Sequence, residues 1–348
     1  MLPHLGRRGP NPAQGEQGPP PLLTLDDVGR AFDVSRPWLN RVIEGAPRQL
    51  LHAVDGVSFE VRKGETFALV GESGCGKSTI ARLIVGLYAP SRGRIEFDGV
   101  QISDPETRVA TAKLRRRMQM IFQDPYASLN PRWRVRDIVA EPIRVLGLAS
   151  DQAEITSRVA GLLKQVGLSP EDGEKYPHEF SGGQRQRISI ARALSGSPDF
   201  LVCDEPTSAL DVSVQAQILN LMTELQARLG LTYLFISHNL AVVSHVADRI
   251  GVMYLGRLVE IADAEELFAR PKHPYTRMLL DAVPDLEMSG RQRTPVAGEV
   301  PNPLSPPTGC AFHPRCPHAN DRCKTERPNL IWRAEAASAC HAVEENRI

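Results

Sequence analysis

A glycine-rich stretch between an apolar run and a helical run constrains the fold of this chain more than any other feature. The apolar run covers residues 66–70, and the helical run begins at residue 80. Glycines let a backbone wrap closely around a phosphate, whose charge is met by N–H groups and the N-terminus of the next helix. The pattern therefore predicts a strand, a phosphate-binding loop and a helix. The phosphate-binding loop consists of Gly71, Glu72, Ser73, Gly74, Cys75, Gly76, Lys77, Ser78 and Thr79.

Two side chains of the phosphate-binding loop have the chemistry to bind a nucleotide and its metal ion. Lys77 offers a positive charge to the β- and γ-phosphates, and Ser78 offers a hydroxyl group to Mg²⁺. Cys75 has neither property, and we expect it to fill space. A glycine turn that matches the pattern by chance is the alternative, but the flanking strand and helix are the context that a phosphate-binding loop requires.

Two adjacent acids, Asp204 and Glu205, follow a second apolar run at 200–203. Neighbouring side chains of a strand point to opposite sides, so one acid can face the metal ion while the other faces the attacking water. We assign Asp204 to Mg²⁺ and Glu205 to general-base activation of water. Acids in this place also occur at ordinary helix starts, but the phosphate-binding loop favours the catalytic interpretation.

A serine followed by two glycines marks the start of another predicted helix. The four residues are Ser181, Gly182, Gly183 and Gln184. Ser181 can cap the helix, and the first turn carries no acid, so its N–H groups and the helix dipole can meet an anion. Alone, this sequence would more often be a plain loop. Its position between the phosphate-binding loop and the acidic pair favours a second phosphate contact.

With these motifs the chain resembles the ATP-binding cassette (ABC) family over residues 22–285. The resemblance implies that Gln123 reaches Mg²⁺ and the membrane partner, that His238 contacts the γ-phosphate, that Asp211 belongs to the D-loop and that Phe32 stacks on adenine. Read alone, His238 at the end of a strand would more often be a structural residue, and the alternative for Gln123 is a buried glutamine that only satisfies backbone groups. The family also implies that two such domains close head to tail, each completing the other's ATP site through Ser181–Gln184. A second ATPase subunit is therefore expected.

The predicted fold class is α/β: a P-loop NTPase core of the ABC ATPase type with a helical subdomain and a small cysteine-containing C-terminal extension. Short apolar strands without polar alternation suit a largely parallel sheet that helices cover on both faces. The expected division is a disordered leader at 1–21, an ATPase domain at 22–270 with a helical subdomain at about 124–194, and the C-terminal extension at 271–348.

The C-terminal extension narrows the resemblance to one branch of the family. Residues 271–284 and 309–317, together with 123–131, look like the dipeptide, oligopeptide and nickel importer ATPases, and most like the second ATPase of such a pair. That resemblance implies import of peptides or similar small solutes into a bacterium. It implies a peripheral position on the cytoplasmic face of the membrane, with a different second ATPase, two transmembrane permeases and a solute-binding protein as partners.

Four of the six cysteines lie in the C-terminal extension: Cys310, Cys316, Cys323 and Cys340. Tetrahedral thiolate ligation points to an iron–sulfur cluster or zinc, and disulfides are disfavoured in a reducing cytosol. The short Cys-x₂-Cys pair that is usual in zinc sites is absent. In the importer branch such cysteines are associated with a [4Fe–4S] cluster, which is the expectation here. Zinc and no metal are the alternatives.

Composition and charge limit the remaining alternatives. Lys plus Arg equals Asp plus Glu, at 41 each, so the overall charge does not favour a nucleic acid as partner. The longest uncharged run, 229–247, is interrupted by polar residues and favours a strand, a turn and a helix over a membrane span. Three other functions are alternatives to an importer ATPase: an exporter ATPase, a soluble ABC ATPase that acts on DNA, RNA or ribosomes, and a nucleotide-sensing regulator. No second cassette and no long basic or coiled-coil insert supports the soluble class.

Overall fold

The computed structural model describes residues 20–38, 41, 45, 47–104, 112–282 and 298–348. The expected disordered leader at 1–21 lies outside the described residues, apart from its last two positions. The strands are β1 (Leu23–Asp33), β2 (Leu50–Val61), β3 (Thr66–Val70), β4 (Arg92–Phe97), β5 (Val100–Gln101), β6 (Met118–Ile121), β7 (Phe200–Asp204), β8 (Thr232–Ser237), β9 (Arg249–Tyr254), β10 (Arg257–Asp263), β11 (Ile331–Arg333) and β12 (Ala336–Ser338).

Helices connect most of these strands. They are α1 (Lys77–Ile84), α2 (Ala112–Arg115), α3 (Pro125–Ser128), α4 (Val135–Val145), α5 (Gln152–Gln165), α6 (Gly182–Leu194), α7 (Val212–Leu229), α8 (Leu240–Val246), α9 (Ala264–Ala269), α10 (Pro274–Asp281), α11 (Asp321–Thr325) and α12 (His341–Glu344). Helices α3 to α6 lie between β6 and β7, within the segment for which a helical subdomain is expected. In the described part of the chain, no helix has the length and apolar character that a bilayer span needs.

The strands form two sheets. The larger has eight strands in the order β11-β12-β10-β9-β3-β8-β7-β6, and the smaller has four in the order β2-β1-β4-β5. Strands β6, β7, β8, β3 and β9 pair in parallel, whereas the smaller sheet is antiparallel. The predicted α/β class with a largely parallel central sheet is confirmed.

The position of the central strand β3 between two cores explains why its sequence lacks polar alternation. Phe67 and Leu69 pack into a core shared with α1 and the smaller sheet, whereas Ala68 and Val70 pack into a second core shared with α4 to α7. All five residues of β3 are buried. Because both faces of the strand are covered, an apolar side chain is favoured at every position.

The parallel register brings the ends of three strands to one edge of the larger sheet. Val70, the last residue of β3, lies opposite Ser237, the last residue of β8. Asp204, the last residue of β7, lies opposite Ile236 of β8. In open α/β sheets the carboxyl ends of the strands form the crevice where ligands bind. The three segments with predicted chemistry therefore begin next to one another.

The C-terminal extension continues the larger sheet instead of standing apart from it. Strand β12 pairs with β10 in antiparallel fashion, and β11 pairs with β12. The sequence pattern weakens after residue 256 and did not indicate these strands. Phe312 of the extension is buried, with its ring centre 5.3 Å from that of Tyr254 and 5.4 Å from that of Tyr275. We call Tyr254, Tyr275 and Phe312 the aromatic cluster.

Replacement of Phe312 by alanine should lower the free energy of unfolding by about 3–5 kcal/mol, because it leaves a cavity in the aromatic cluster. Denaturant unfolding of the two proteins measures this difference. Trp332→Ala is the control: the Trp332 side chain lies on edge strand β11 and the residue is 51% exposed, so its loss should cost far less. Equal losses of stability in the two variants would contradict the packing described for the extension.

Candidate active site

The phosphate-binding loop packs closely against two strands of the fold. Gly71 has a φ of +150° and Gly76 a φ of +109°, values that L side chains rarely adopt. A β-carbon on Gly71 would lie 2.2 Å from the carbonyl oxygen of Met253, and one on Gly76 would lie 2.2 Å from that of Ala53. Both positions therefore require glycine for their backbone conformation and for their space.

Lys77 is buried and its ammonium group is held across the phosphate-binding loop. Nζ donates hydrogen bonds to the carbonyl oxygens of Gly71 at 2.7 Å and Glu72 at 3.0 Å. The Sγ atom of Cys75 lies 3.6 Å away. Burial raises the pKa of the Cys75 thiol, which is in keeping with a space-filling residue. The geometry holds a positive charge at the loop where a nucleotide phosphate is expected.

Ser78 and Asp204 form the oxygen pair that was predicted for Mg²⁺. The Ser78 hydroxyl donates to Oδ1 of Asp204 at 2.9 Å. Burial raises the pKa of the Asp204 carboxyl, the hydrogen bond from Ser78 opposes that effect, and the neighbouring Glu205 adds to it. A hydroxyl group and a carboxylate fit the oxygen preference of Mg²⁺, whose charge would favour the ionised form of the acid.

Glu205 is contacted by side chains from two other parts of the site. Its Oε2 accepts a hydrogen bond from Nε2 of Gln123 at 3.0 Å, and its Oε1 lies 2.9 Å from Nδ1 of His238. Gln123 follows β6 and His238 follows β8, so the larger sheet brings the three together. Gln123, which was predicted as a metal ligand, here contacts the predicted base. The roles of all three in hydrolysis stay predictions at this point.

The separation of Asp204 from Glu205 has a different cause from the one expected. We predicted that strand alternation turns the two acids apart, but β7 ends at Asp204 and Glu205 has a φ of +47°. Its N–H donates to the carbonyl oxygen of Ile236 at 2.9 Å, which holds this left-handed residue in place. Such a backbone costs about 1–3 kcal/mol and is found most often where function requires it.

The serine and two glycines that precede α6 form a capped helix start, as the sequence suggests. The side chain of Ser181 accepts from the N–H of Gln184 at 3.4 Å, and the Gln184 side chain accepts from the N–H of Ser181 at 3.0 Å. Gly182 and Gly183 are the first two residues of α6, whose first turn contains no acid. Asp211 is the N-cap residue of α7, without a side-chain cap hydrogen bond.

Phe32 lies near the end of β1 and is half-buried. Its ring meets that of Tyr88 edge to face, with the centres 5.4 Å apart, and the guanidinium carbon of Arg30 lies 4.8 Å from its centre. Stacking on adenine stays a prediction. Sequence reasoning overlooked Arg30 and Tyr88, because nothing in their local sequence indicates that they surround this ring.

Sequence reasoning also overlooked two contacts that reach the phosphate-binding loop from the C-terminal side. The hydroxyl oxygen of Tyr275 accepts a hydrogen bond from the N–H of Glu72 at 2.9 Å, and Arg315 forms an ion pair with the Glu72 carboxylate at 2.8 Å. Both partners lie more than 200 residues from Glu72. No local pattern could have revealed them.

The four cysteines of the extension lie in one region. The N–H of Cys310 donates to the carbonyl oxygen of Cys323 at 2.8 Å, and burial together with the other three thiols raises the pKa of Cys310 to about 11. Cys323 and Cys340 are buried, and Cys316 is half-buried. Within the described ranges, no group of three or more His, Cys, Asp or Glu side chains is arranged to hold a metal ion. Neither the expected [4Fe–4S] cluster nor the zinc alternative therefore gains support from the geometry.

Comparison with known families agrees with this site. The model of the family described as "ABC transporter" matches residues 54–208, and that of the "Oligopeptide/dipeptide transporter, C-terminal region" matches residues 259–323. The chain is 49% identical over 313 residues to the putative oligopeptide transport ATP-binding protein YkfD of Bacillus subtilis, covering 89% of this chain and 92% of that protein. This chain belongs to the ABC transporter ATP-binding protein family.

Further relatives of this ABC ATPase include the di/tripeptide transport ATP-binding protein DppF of Pseudomonas aeruginosa, which is 48% identical over 93% of this chain and 98% of its own length. Among solved structures, cbiO1 of Clostridium perfringens, part of the ABC transporter complex cbiONQ, has a TM-score of 0.60 and 30% identity. It covers 72% of this chain and 91% of its own. The predicted P-loop NTPase fold and ATPase activity are confirmed, and ATP with Mg²⁺ is the expected ligand pair.

Glu205→Gln should lower the ATP turnover rate about 10²–10⁴-fold while ATP still binds, because an amide cannot accept a proton from the attacking water. Steady-state phosphate release and equilibrium nucleotide binding measure the two effects. Glu224→Gln, on the exposed face of α7, serves as control and should retain wild-type turnover. Full turnover in the Glu205 variant would remove this residue from the role of base.

Lys77→Ala should weaken ATP binding roughly ten- to hundredfold, because a buried ammonium group that meets phosphate oxygens is lost. Titration of the purified protein with a fluorescent ATP analogue measures the dissociation constant. Lys164→Ala, at an exposed position of α5, is the matched control and should bind as the wild type does. Equal affinity in both variants would show that the ammonium group of Lys77 does not meet the nucleotide.

Proposed function

We propose that this ABC ATPase powers the import of peptides or similar small solutes across a bacterial cytoplasmic membrane. The observation that carries the proposal is the match of residues 259–323 to the oligopeptide/dipeptide transporter C-terminal region. The names of its relatives support it: DppF of Pseudomonas aeruginosa is a di/tripeptide transport ATP-binding protein, and AppF of Bacillus subtilis, 48% identical to this chain, is an oligopeptide transport ATP-binding protein.

In this proposal each residue of the site has a separate role in ATP hydrolysis. The backbone of the phosphate-binding loop and Lys77 bind the phosphates, and Ser78 and Asp204 would hold Mg²⁺, which neutralises charge on the β- and γ-phosphates when bound. Glu205 accepts the proton of the attacking water. Gln123 and His238 hold its carboxylate from two sides, so a shift of either alters the position of the base.

A second ATPase subunit completes the ATP site in this proposal. The helix start at Ser181–Gln184 offers N–H groups to the phosphates bound by the partner, and Asp211 lies at the contact between the two subunits. A solved ABC cassette that is 26% identical to this chain, MJ0796, forms a dimer bound to ADP and phosphate in a post-hydrolysis state. In the importer branch the partner is a different ATPase, so we propose a heterodimer.

The remaining partners follow from the proposed branch. Two transmembrane permeases dock on the helical subdomain at about 124–194, which lies between Gln123 and the helix start at Ser181, and a solute-binding protein delivers the peptide. ATP-driven closure moves the helical subdomain together with the docked permeases. The ATPase domain at 22–270 and the extension at 271–348 then lie peripherally on the cytoplasmic face of the membrane.

The four cysteines of the extension hold a [4Fe–4S] cluster in this proposal. The support for it is the resemblance of the extension to the importer branch, together with the four thiols themselves, of which Cys323 and Cys340 are buried and Cys310 and Cys316 are half-buried. Within the described residues the cysteines are not arranged to hold a metal ion, so the proposal rests on the resemblance and on the ligand chemistry of four thiolates.

Two measurements on protein purified without oxygen test the cluster. Absorbance near 400 nm together with about four irons per chain is expected, and Cys323→Ser and Cys340→Ser should each lose both signals. Cys203→Ser is the control, since Cys203 is a buried residue of β7 and should leave iron content unchanged. If the purified protein contained zinc in place of iron, or neither metal, this part of the proposal would be wrong.

Growth of a bacterial strain tests the import role. The strain cannot make one amino acid and lacks the gene for this protein. The strain should not grow on di- or oligopeptides that contain the amino acid, although it grows on the free amino acid. Wild-type protein should restore growth and the Glu205→Gln variant should not, because hydrolysis drives import. Purification of the complex in mild detergent should recover a second ATPase and two permeases. Recovery with ribosomes or DNA and no permease would overturn the proposal.

A further inference from the structure

Glu72, the second residue of the phosphate-binding loop, is held from three sides. Its N–H donates to the Tyr275 hydroxyl at 2.9 Å, and its carbonyl oxygen accepts from Nζ of Lys77 at 3.0 Å. Its carboxylate accepts two hydrogen bonds from Arg315, from Nη1 at 2.8 Å and from Nη2 at 3.0 Å. One residue thus joins the phosphate-binding lysine to two side chains that follow the ATPase core in sequence.

Arg315 lies in the C-terminal extension, next to Cys316, and its side chain is only 3% exposed. Two nitrogens of its guanidinium group meet the two carboxylate oxygens of Glu72, the geometry in which an Arg–carboxylate pair is strongest. Its Nε is buried and has no hydrogen-bond partner in the part of the chain that the structure describes. The guanidinium group is therefore directed mainly to Glu72.

The aromatic cluster supports this arrangement. The guanidinium carbon of Arg315 lies 5.8 Å from the ring centres of Tyr254 and Phe312, and the Tyr254 hydroxyl is 3.5 Å from Nη1. Arg315 follows Phe312 by one turn of 3-10 helix, so the anchoring of that ring also places the arginine. The position of Arg315 therefore depends on packing between the extension and the core.

The charge of Glu72 is the reason why such a partner is needed. The phosphate-binding loop has to accept the negatively charged triphosphate of ATP, yet one of its own residues carries a carboxylate. Like charges at short range disfavour each other, and the effect is large where water is partly excluded. A bidentate arginine neutralises the carboxylate and keeps it turned toward the extension.

We propose that Arg315 is a positioning residue for ATP: by neutralising and holding Glu72, it makes the nucleotide affinity of the phosphate-binding loop depend on the C-terminal extension. This inference requires only the ATPase activity of the chain. It is independent of the transported solute and of any metal at the cysteines. The competing explanation is that Arg315 merely stabilises the extension through Tyr254, Phe312 and Met278.

A double-mutant cycle separates the two explanations. Arg315→Gln leaves an unneutralised carboxylate in the loop, so the KM for ATP should rise about tenfold, the size of one partly screened charge interaction, while kcat at saturating ATP stays near wild type. In the double variant E72Q/R315Q the carboxylate is gone. Its KM should return to within about threefold of wild type, although it contains one substitution more.

The single variant Glu72→Gln supplies a second test that does not require a substitution of the buried arginine. Its amide oxygen can still accept from Arg315, while the loop gains one net positive charge, so the KM should fall about threefold. Arg315→Lys, which keeps the charge but not the bidentate geometry, should fall between wild type and Arg315→Gln. Arg322→Gln is the matched control, because Arg322 pairs with Glu326 within the extension and should leave the KM unchanged.

Thermal unfolding of every variant shows whether the fold is intact, and equilibrium ATP binding confirms the KM values. The proposal is overturned if Arg315→Gln has the wild-type KM, if E72Q/R315Q binds ATP as weakly as Arg315→Gln, or if Glu72→Gln has an equal or higher KM than wild type. Rescue by removal of the carboxylate would not occur if Arg315 acted only on the extension. Absence of ATPase activity in the wild type would instead contradict the function itself.

Discussion

The parallel pairing of β3 with β8, and of β8 with β7, is the interaction on which the site depends. It brings the phosphate-binding loop, the acid pair and His238 to the same edge of the larger sheet. Each strand is buried on both faces, so the pairing is stabilised by two cores at once. A slip of register in any of these strands would separate Ser78 from Asp204 or Glu205 from His238.

The predicted base at this edge, Glu205, is contacted by side chains that follow two other strands of the sheet. Glu205 leaves β7 with a left-handed backbone, Gln123 comes from the segment after β6, and His238 comes from the segment after β8. The helical segment that begins after Gln123 is the part proposed to meet the membrane subunits. A displacement of that segment would therefore reach the carboxylate of Glu205 through one hydrogen bond, which is a short physical route from the proposed docking segment to the predicted base.

The parts of this structure that could be predicted from the sequence are those with strong local causes. The runs 66–70 and 200–203 are apolar at nearly every position because both faces are covered, and they form β3 and most of β7. The phosphate-binding loop depends on glycines that are adjacent in sequence. By contrast, the left-handed turn at Glu205 arises from its bond to Ile236, and Arg315 reaches Glu72 across 243 residues. Long-range contacts of this kind produce no periodic pattern in the sequence, so they cannot be predicted from it.

The addition of β12 to the edge of β10 has a consequence for synthesis of the protein. Strand β10 is complete long before the residues of β12 have been translated, so one side of it presents unpaired N–H and C=O groups during that interval. Exposed edges of this type recruit strands from other chains. The nascent ATPase core is therefore open to wrong pairing with its neighbours on the polysome until the extension arrives. The free edge of the sheet then moves from β10 to β11, a strand of only three residues.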